Sequence, residues 1–254
     1  MIDDNLEWYY DKNILITGAS GYIASSICEK LYSKAKTIIR VSRNKLSTKK
    51  NCINIKADIS MLKTWEEVLP KVDVVFHLAS QTSIYHSEKY TQEDFKANVM
   101  PMNSLLGTCK KYGYSPFIIF AGSATQSGIP KINPVNENSP DLPITFYDIH
   151  KSISEKLLEG YTRQGITRGI TLRLPNIYGP GKLSSGSDRG IINKTLKKAL
   201  NKERLTVYGK GLQLRDYLYI DDLVNAFLIT VQYQNNLNNQ HFTLGTGRGI
   251  SIWN

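Results

Sequence analysis

The sequence predicts an α/β protein, a doubly wound parallel sheet followed by a small C-terminal lobe. Three observations predict it. Short, continuously apolar runs alternate with segments of helical spacing from Asn13 to about residue 175, the pattern of strands covered on both faces. A glycine-rich turn, "TGASGYIA", separates the first run from the first helical segment. After Gly179 the texture changes to polar, Gly/Ser-rich stretches and short mixed elements. At ~100–200 residues per domain, the 254 residues suffice for one large domain or two small ones.

The run "NILITGAS" stops at the glycine turn and reads as a buried first strand. "YIASSICEKLYSK" has the apolar spacing of a helix, and "KTIIRVS" returns to strand character. "INIKADIS" and "KVDVVFHLAS" supply the third and fourth strands. "DFKANVMPMNSLLGTCKKYG" reads as a helix in which Pro101 either makes a kink or marks a first turn. "SPFIIFAGSA" is the fifth strand, "FYDIHKSISEKLLEGYTRQG" a helix ending near Gly165, and "GITLRLPNIYG" the sixth strand. Beyond it, "PGKLSSGSDRG" is a polar loop and "IINKTLKKALNK" a basic amphipathic helix. "LTVYGKGLQLRDYLYIDDLVNAFLITVQ" mixes short strands and a helix, "NNLNNQ" is a loop, and "HFTLGTG" is a last short strand. The expected division is a Rossmann-type dinucleotide-binding domain over residues 1–175 and a lobe over residues 176–254, partly interleaved with the sheet.

Composition narrows the partners. The formal net charge of +10 comes from scattered pairs such as Lys49-Lys50, Lys110-Lys111 and Lys197-Lys198, not from a basic block. Nucleic acid is therefore not the expected partner, and an anionic small molecule suits the same excess. No apolar run approaches the ~18 residues of a membrane span. The opening "MIDDNLEWYYDKN" is acidic and polar, unlike a secretory leader. Cys28, Cys52 and Cys109 lack CxxC spacing and read as reduced thiols, so a cytoplasmic location is expected. His77, His86, His150 and His241 stand apart from Cys and carboxylates at ligand spacing, and no metal site is expected.

"TGASGYIA" supplies Gly18, Gly21 and Ala24 between a strand and an amphipathic helix. Glycine permits close backbone approach, and a helix N-terminus offers N–H groups to a pyrophosphate. Gly18, Ser20, Gly21, Tyr22 and Ile23 are the candidate cofactor contacts of this turn. NAD binders usually place an acid at the end of the second strand. Here that place holds Ser42 and Arg43, and an arginine can pair with a 2′-phosphate, so NADP is favoured over NAD.

One further pattern needs its context. Tyr147 and Lys151 are four residues apart, on one face of a helix. Tyr32 and Lys36 have the same spacing, so spacing alone decides nothing. The ordered set "TGASGYIA", "ADIS", "HLAS", "NVMPMNSLLGT", "FAGSAT", "YDIHK", "LRLPNIYGPG", "QLRDYLYIDDL" and "TLGTG" resembles the extended short-chain dehydrogenase/reductase family, of the NAD-dependent epimerase/dehydratase, nucleotide-sugar type. The resemblance covers about Asn13 to Gly247. It implies that Tyr147 is the acid/base and that Lys151 lowers the tyrosine's pKa and holds the nicotinamide ribose. Ser123 would hold the reacting oxygen. Tyr32 and Lys36 fall where the family has no catalytic group. The resemblance further assigns Asp58 and Ile59 to the adenine, and Leu78, Ala79 and Ser80 to the cofactor's phosphates and ribose. Asn98 is similar to a structural asparagine beside the active site, and Pro175 would touch the nicotinamide. Asn176 and Arg215 would hold a substrate diphosphate, with an ion pair to Asp216, Asp221 or Asp222 as the alternative for Arg215.

The chain also departs from the family. Its dehydratases carry an Asp-Glu pair just after the serine or threonine of the fifth strand, whereas Ala124 and Thr125 stand here, so dehydration is not expected. The chain stops at "ISIWN", where the family continues with further helices, so the lobe looks truncated. The implied function is an NAD(P)-dependent nucleotide-sugar epimerase or 4-ketoreductase. The alternative is a non-catalytic NAD(P)-binding sensor or partner protein on the same fold. Family members often pair through two helices, which makes a homodimer the default.

Overall fold

The computed structural model describes residues 6–181, 191–207 and 209–251, with the side chains of residues 191, 193 and 194 excepted. Most of the expected loop "PGKLSSGSDRG" lies outside them, as do Tyr208 and the last three residues. Chain order runs β1 (Asn13–Thr17), α1 (Tyr22–Leu31), β2 (Thr37–Ser42), β3 (Cys52–Lys56), α2 (Leu62–Val68) and β4 (Val74–His77). Three helices follow, α3 (Ile84–Lys89), α4 (Thr91–Asn98) and α5 (Met100–Tyr112), then β5 (Phe117–Ser123), α6 (Phe146–Arg163), β6 (Arg168–Leu174) and β7 (Asn176–Tyr178). The chain ends through α7 (Ile191–Leu200), β8 (Tyr217–Tyr219), α8 (Ile220–Gln232) and β9 (Gln240–Thr243).

Seven strands form one parallel sheet in the order β3-β2-β1-β4-β5-β6-β9. Its strands alternate between two apolar layers because successive side chains point to opposite faces. Ile14, Ile16, Val74 and Phe76 pack with Ile27 and Leu31 of α1 and with Leu223 and Phe227 of α8. Leu15, Val75, Ile118 and Phe120 pack with Trp65 of α2, Leu105 and Leu106 of α5, and Leu158 of α6. Each such side chain contributes about 1.5–3 kcal/mol by leaving water. Sequence order reverses between β1 and β4, which leaves a crevice beyond their C-terminal ends.

Two of the expected elements divide. The helix expected around Pro101 is two helices that break at Val99, and Pro101 lies in the first turn of α5, where a missing N–H costs nothing. "GITLRLPNIYG" is likewise two strands. β6 stays in the main sheet, while β7 pairs with β8 in a separate two-stranded sheet. The short helices α2 and α3 have too few turns for a periodic pattern to reveal them. After Asn176 the chain visits the lobe twice but returns to the main body: α8 packs against α1, and β9 pairs with β6.

Candidate functional site

Over the crevice lies a cleft of about 620 Å³, within the usual size of a small-molecule site. It begins at Ser42, Arg43, Asn44, Asp58 and Ile59, beyond the ends of β2 and β3. It passes the glycine turn and Leu78, Ala79 and Ser80, and reaches Ser123, Tyr147, Lys151, Pro175 and Asn176. β2 and β5 are three strand spacings apart, about 14 Å, so the cleft suits an extended ligand.

The glycine turn is built for close approach. Gly18 adopts a φ of +65°, and a Cβ there would meet the Cα of Ala79 at 2.8 Å. Gly21 is the N-cap of α1 and its N–H bonds the Gly18 carbonyl at 2.7 Å. The helix thus starts at the cleft with no side chain over its first amide groups. Ser20, Tyr22 and Ile23 complete this wall. The Ser42 hydroxyl donates to Ser20 Oγ at 3.0 Å and ties the end of β2 to the turn. Thr17 ties the turn to β4: its hydroxyl accepts the N–H groups of Leu78 and Ala79, both at 3.0 Å, and meets His77 Nδ1 at 3.2 Å.

At the Arg43 end the Asp58 carboxylate accepts the Ser60 N–H at 2.9 Å. This bond holds its pKa below the usual value, helped by the charges of Lys96 and Arg43. Lys96 also lines the cleft, as do Gln81, Thr82 and Lys197, none of which was among the candidate site residues.

The other end carries the acid/base candidates. Ser123 closes β5 and is the N-cap of the 3-10 turn Ala124–Ser127, where Gln126 Oε1 accepts its N–H at 2.8 Å. Thr145 caps α6 in a reciprocal box with Asp148, which places Tyr147 and Lys151 in the first two turns. Ser123, Tyr147 and Lys151 are all at most 3% exposed. The Lys151 ammonium donates to the Ala121 carbonyl at 2.8 Å and lies 5.9 Å from the centre of the Tyr147 ring. Tyr32 and Lys36 share no helix: Tyr32 caps the C-terminus of α1, and its hydroxyl accepts from Arg40 at 2.8 Å.

Two expected site residues do not line the cleft. Asn98 is buried behind its wall, where Oδ1 accepts from Ser80 Oγ at 2.7 Å and from the Gln81 N–H at 3.1 Å. A second layer joins it, since Asp94 accepts from Asn98 and meets His150 Nδ1 at 2.6 Å. The members of the Asp94–His150 pair are 56 residues apart, and no motif of the sequence joins them. Arg215 is exposed, pairs its backbone with Ile250 and donates to the Leu214 carbonyl at 2.8 Å. Among the described residues it forms no ion pair with Asp216, Asp221 or Asp222.

Residues 14–245 match the model of the NAD dependent epimerase/dehydratase family. A putative UDP-glucose 4-epimerase of Methanocaldococcus jannaschii is 30% identical over 246 residues, 94% of this chain and 78% of that protein. The UDP-glucose 4-epimerase of Thermotoga maritima, solved with UDP-glucose, superposes with a TM-score of 0.86 at 30% identity, over 94% of this chain and 79% of the other. The Brucella ovis UDP-glucose 4-epimerase, solved with NAD, gives 0.84 at 26% identity over 95% and 80%. The chain spans 57% of the dTDP-D-glucose 4,6-dehydratase of Dictyostelium discoideum, to which it is 28% identical over 253 residues, 90% of this chain. Among the described residues no helix is long and apolar enough to cross a membrane. With its parallel sheet, glycine turn and Tyr147–Lys151 helix, the chain belongs to the NAD dependent epimerase/dehydratase family, the extended short-chain dehydrogenase/reductase type of enzyme.

Proposed function

We propose that the cleft serves a hydride transfer between the nicotinamide of NAD(P) and a sugar carbon of a nucleoside-diphosphate sugar, as in an epimerase or a 4-ketoreductase. The observation that carries this reading is the buried set Ser123, Tyr147 and Lys151 in one wall of a cleft that also holds the glycine turn. When bound, the cofactor supplies the hydride acceptor or donor. Tyr147 takes the proton from the sugar hydroxyl as the carbon is oxidised and returns it as the carbonyl is reduced. Lys151 stabilises the phenolate by its charge, from a position fixed by the Ala121 carbonyl. Ser123 holds the reacting oxygen, and Asn176 at the cleft mouth holds the diphosphate. Pro175 borders the nicotinamide. Residues 1–175 carry the cofactor and residues 176–254 most of the substrate contacts.

Purified protein with NAD(P) and a panel of UDP-, dTDP- and CDP-sugars tests this. Tyr147→Phe should lower kcat by about 10²–10⁴-fold with little change in KM. Turnover that persists unchanged in Tyr147→Phe would remove the mechanism. A lasting loss of NADPH with a 4-keto sugar nucleotide identifies a reductase, and an unchanged cofactor pool an epimerase.

The cofactor reading is NADP, carried by Arg43 at the cleft end beyond β2. A guanidinium there offers a fork to a 2′-phosphate. Arg43→Ala should weaken NADP binding by about tenfold to a hundredfold and leave NAD binding unchanged. Equal small effects on both cofactors would count against NADP.

A further inference from the structure

The chain brings a carboxylate to the back of Ser123 by a route the glycine turn and the Tyr147–Lys151 pair do not reveal. The Thr125 hydroxyl donates to Asp148 Oδ1, and Thr125 Oγ1 lies 2.7 Å from Ser123 Oγ. Asp148 is 3% exposed, and its other oxygen accepts from the N–H and the hydroxyl of Thr145, at 3.1 and 2.7 Å. A hydroxyl has one hydrogen. Thr125 gives its own to the carboxylate, so the hydrogen between Thr125 and Ser123 comes from Ser123. The Thr125 N–H, at 3.4 Å, also aims at Ser123 Oγ.

We infer that Thr125 and Asp148 are positioning residues that keep the Ser123 hydrogen engaged on Thr125, so that the resting site offers Ser123 as an acceptor to the alcohol form of the sugar. This deepens the hydride-transfer reading above and rests on it. An alcohol donates its hydrogen to such an oxygen. A ketone needs a donor, and Ser123 supplies one only by leaving Thr125. The arrangement therefore favours the hydroxy sugar over the keto sugar, as an enzyme that begins by oxidising its substrate requires. In that step the hydride leaves the carbon for the nicotinamide and the hydroxyl proton passes to Tyr147. Thr125 stands where the family's dehydratases carry an acid, and here the acid reaches the site from α6 through that threonine.

Thr125→Val removes the link, and because Thr125 is exposed the change opens no core cavity. The measurement is the calorimetric affinity of the protein for UDP-6-deoxyglucose and for its 4-keto form, in wild type, Thr125→Val and Thr125→Ser. The ratio of the two dissociation constants should move about tenfold toward the ketone in Thr125→Val, the size of one lost hydrogen bond, and stay at the wild-type value in Thr125→Ser. In the protein loaded with oxidised NADP, or with NAD if that proves the tighter ligand, the reduced fraction of bound cofactor, read by absorbance with UDP-glucose present, should rise in Thr125→Val and stay at the wild-type value in Thr125→Ser. Thr125→Ala serves equally if the valine variant melts early. A wild-type protein that binds both sugars, with the same ratio in all variants, overturns the inference. A wild type that binds neither these two sugars nor their dTDP and CDP counterparts overturns the hydride-transfer reading itself, a different and separately visible result.

Discussion

Acid should destabilise this protein through one buried imidazole. His77 ends β4 at 1% exposure, between the rings of Trp65 and Phe120 at 5.9 and 5.8 Å. Two backbone N–H groups occupy the lone pairs of the Thr17 hydroxyl, so its hydrogen goes to His77 Nδ1, and the neutral ring carries its proton on Nε2. Burial pushes the imidazole down to about 3, and the charge of Lys151 adds in the same direction. In the unfolded chain the ring titrates near 6.5. Below that pH the unfolded state binds a proton that the folded state refuses, so stability is full above about 6.5 and falls by about 1.4 kcal/mol per pH unit toward 3. The loss is about 2 kcal/mol at about pH 5 and approaches about 5 kcal/mol at about pH 3. Carboxylates with lowered pKa values, such as Asp58 and Glu137, lose stability in acid too, so a difference measurement is needed. Urea unfolding of wild type and His77→Phe from about pH 8 to about pH 5 supplies it. The stability of wild type minus that of the variant should be flat at the alkaline end and drop by about 2 kcal/mol at the acid end. A difference that does not change across the range would refute a neutral His77.

Further substitutions test the glycine turn and a buried ion pair on β6. Gly18→Ala combines a left-handed φ, worth about 1–2 kcal/mol, with a Cβ 2.8 Å from Ala79, whereas Gly113→Ala has a φ of +71° and open space around it. Both should lower the melting temperature, but Gly18→Ala should fall further and also lose cofactor affinity by equilibrium titration. Arg173, fully buried on β6, forks onto Asp141 at 2.6 and 2.9 Å and also bonds Glu155. Arg173→Met leaves Glu155 buried without its counter-charge and should cost about 3–5 kcal/mol in thermal or urea unfolding. Adding Glu155→Gln should recover much of that, and a double variant as unstable as the sum of the singles would contradict the pairing.

How much of this was legible in the sequence follows from the range of each interaction. Strands such as Asn13–Thr17 are local apolar runs ended by a glycine turn, and they appear where the runs are. The Pro101 helix and the "LRLPNIYG" strand divide because a break at Val99 and a change of pairing partner at Pro175 are tertiary choices with weak local signatures. The cleft residues near the glycine turn and on α6 were visible because short motifs hold them in order. Arg215 was assigned by its motif, which says nothing of its backbone bridge to Ile250 or of its place outside the cleft lining. Ser80 with Asn98, Asp94 with His150, and Thr125 with Asp148 lie 18, 56 and 23 residues apart, and no local pattern announces such contacts.

The return of α8 and β9 to the main body governs how the protein can be cut and how it is made. A fragment ending at Pro175 would strip Leu223 and Phe227 from the layer over α1 and leave β6 as a bare sheet edge, open to strand addition by another molecule. On the ribosome, α8 and β9, the last pieces of the nucleotide-binding layers, emerge only after β7, α7 and β8 have been synthesised. Native packing around α1 must therefore wait for residues about two hundred positions downstream, and proteolytic nicking in the lobe need not free a stable N-terminal half.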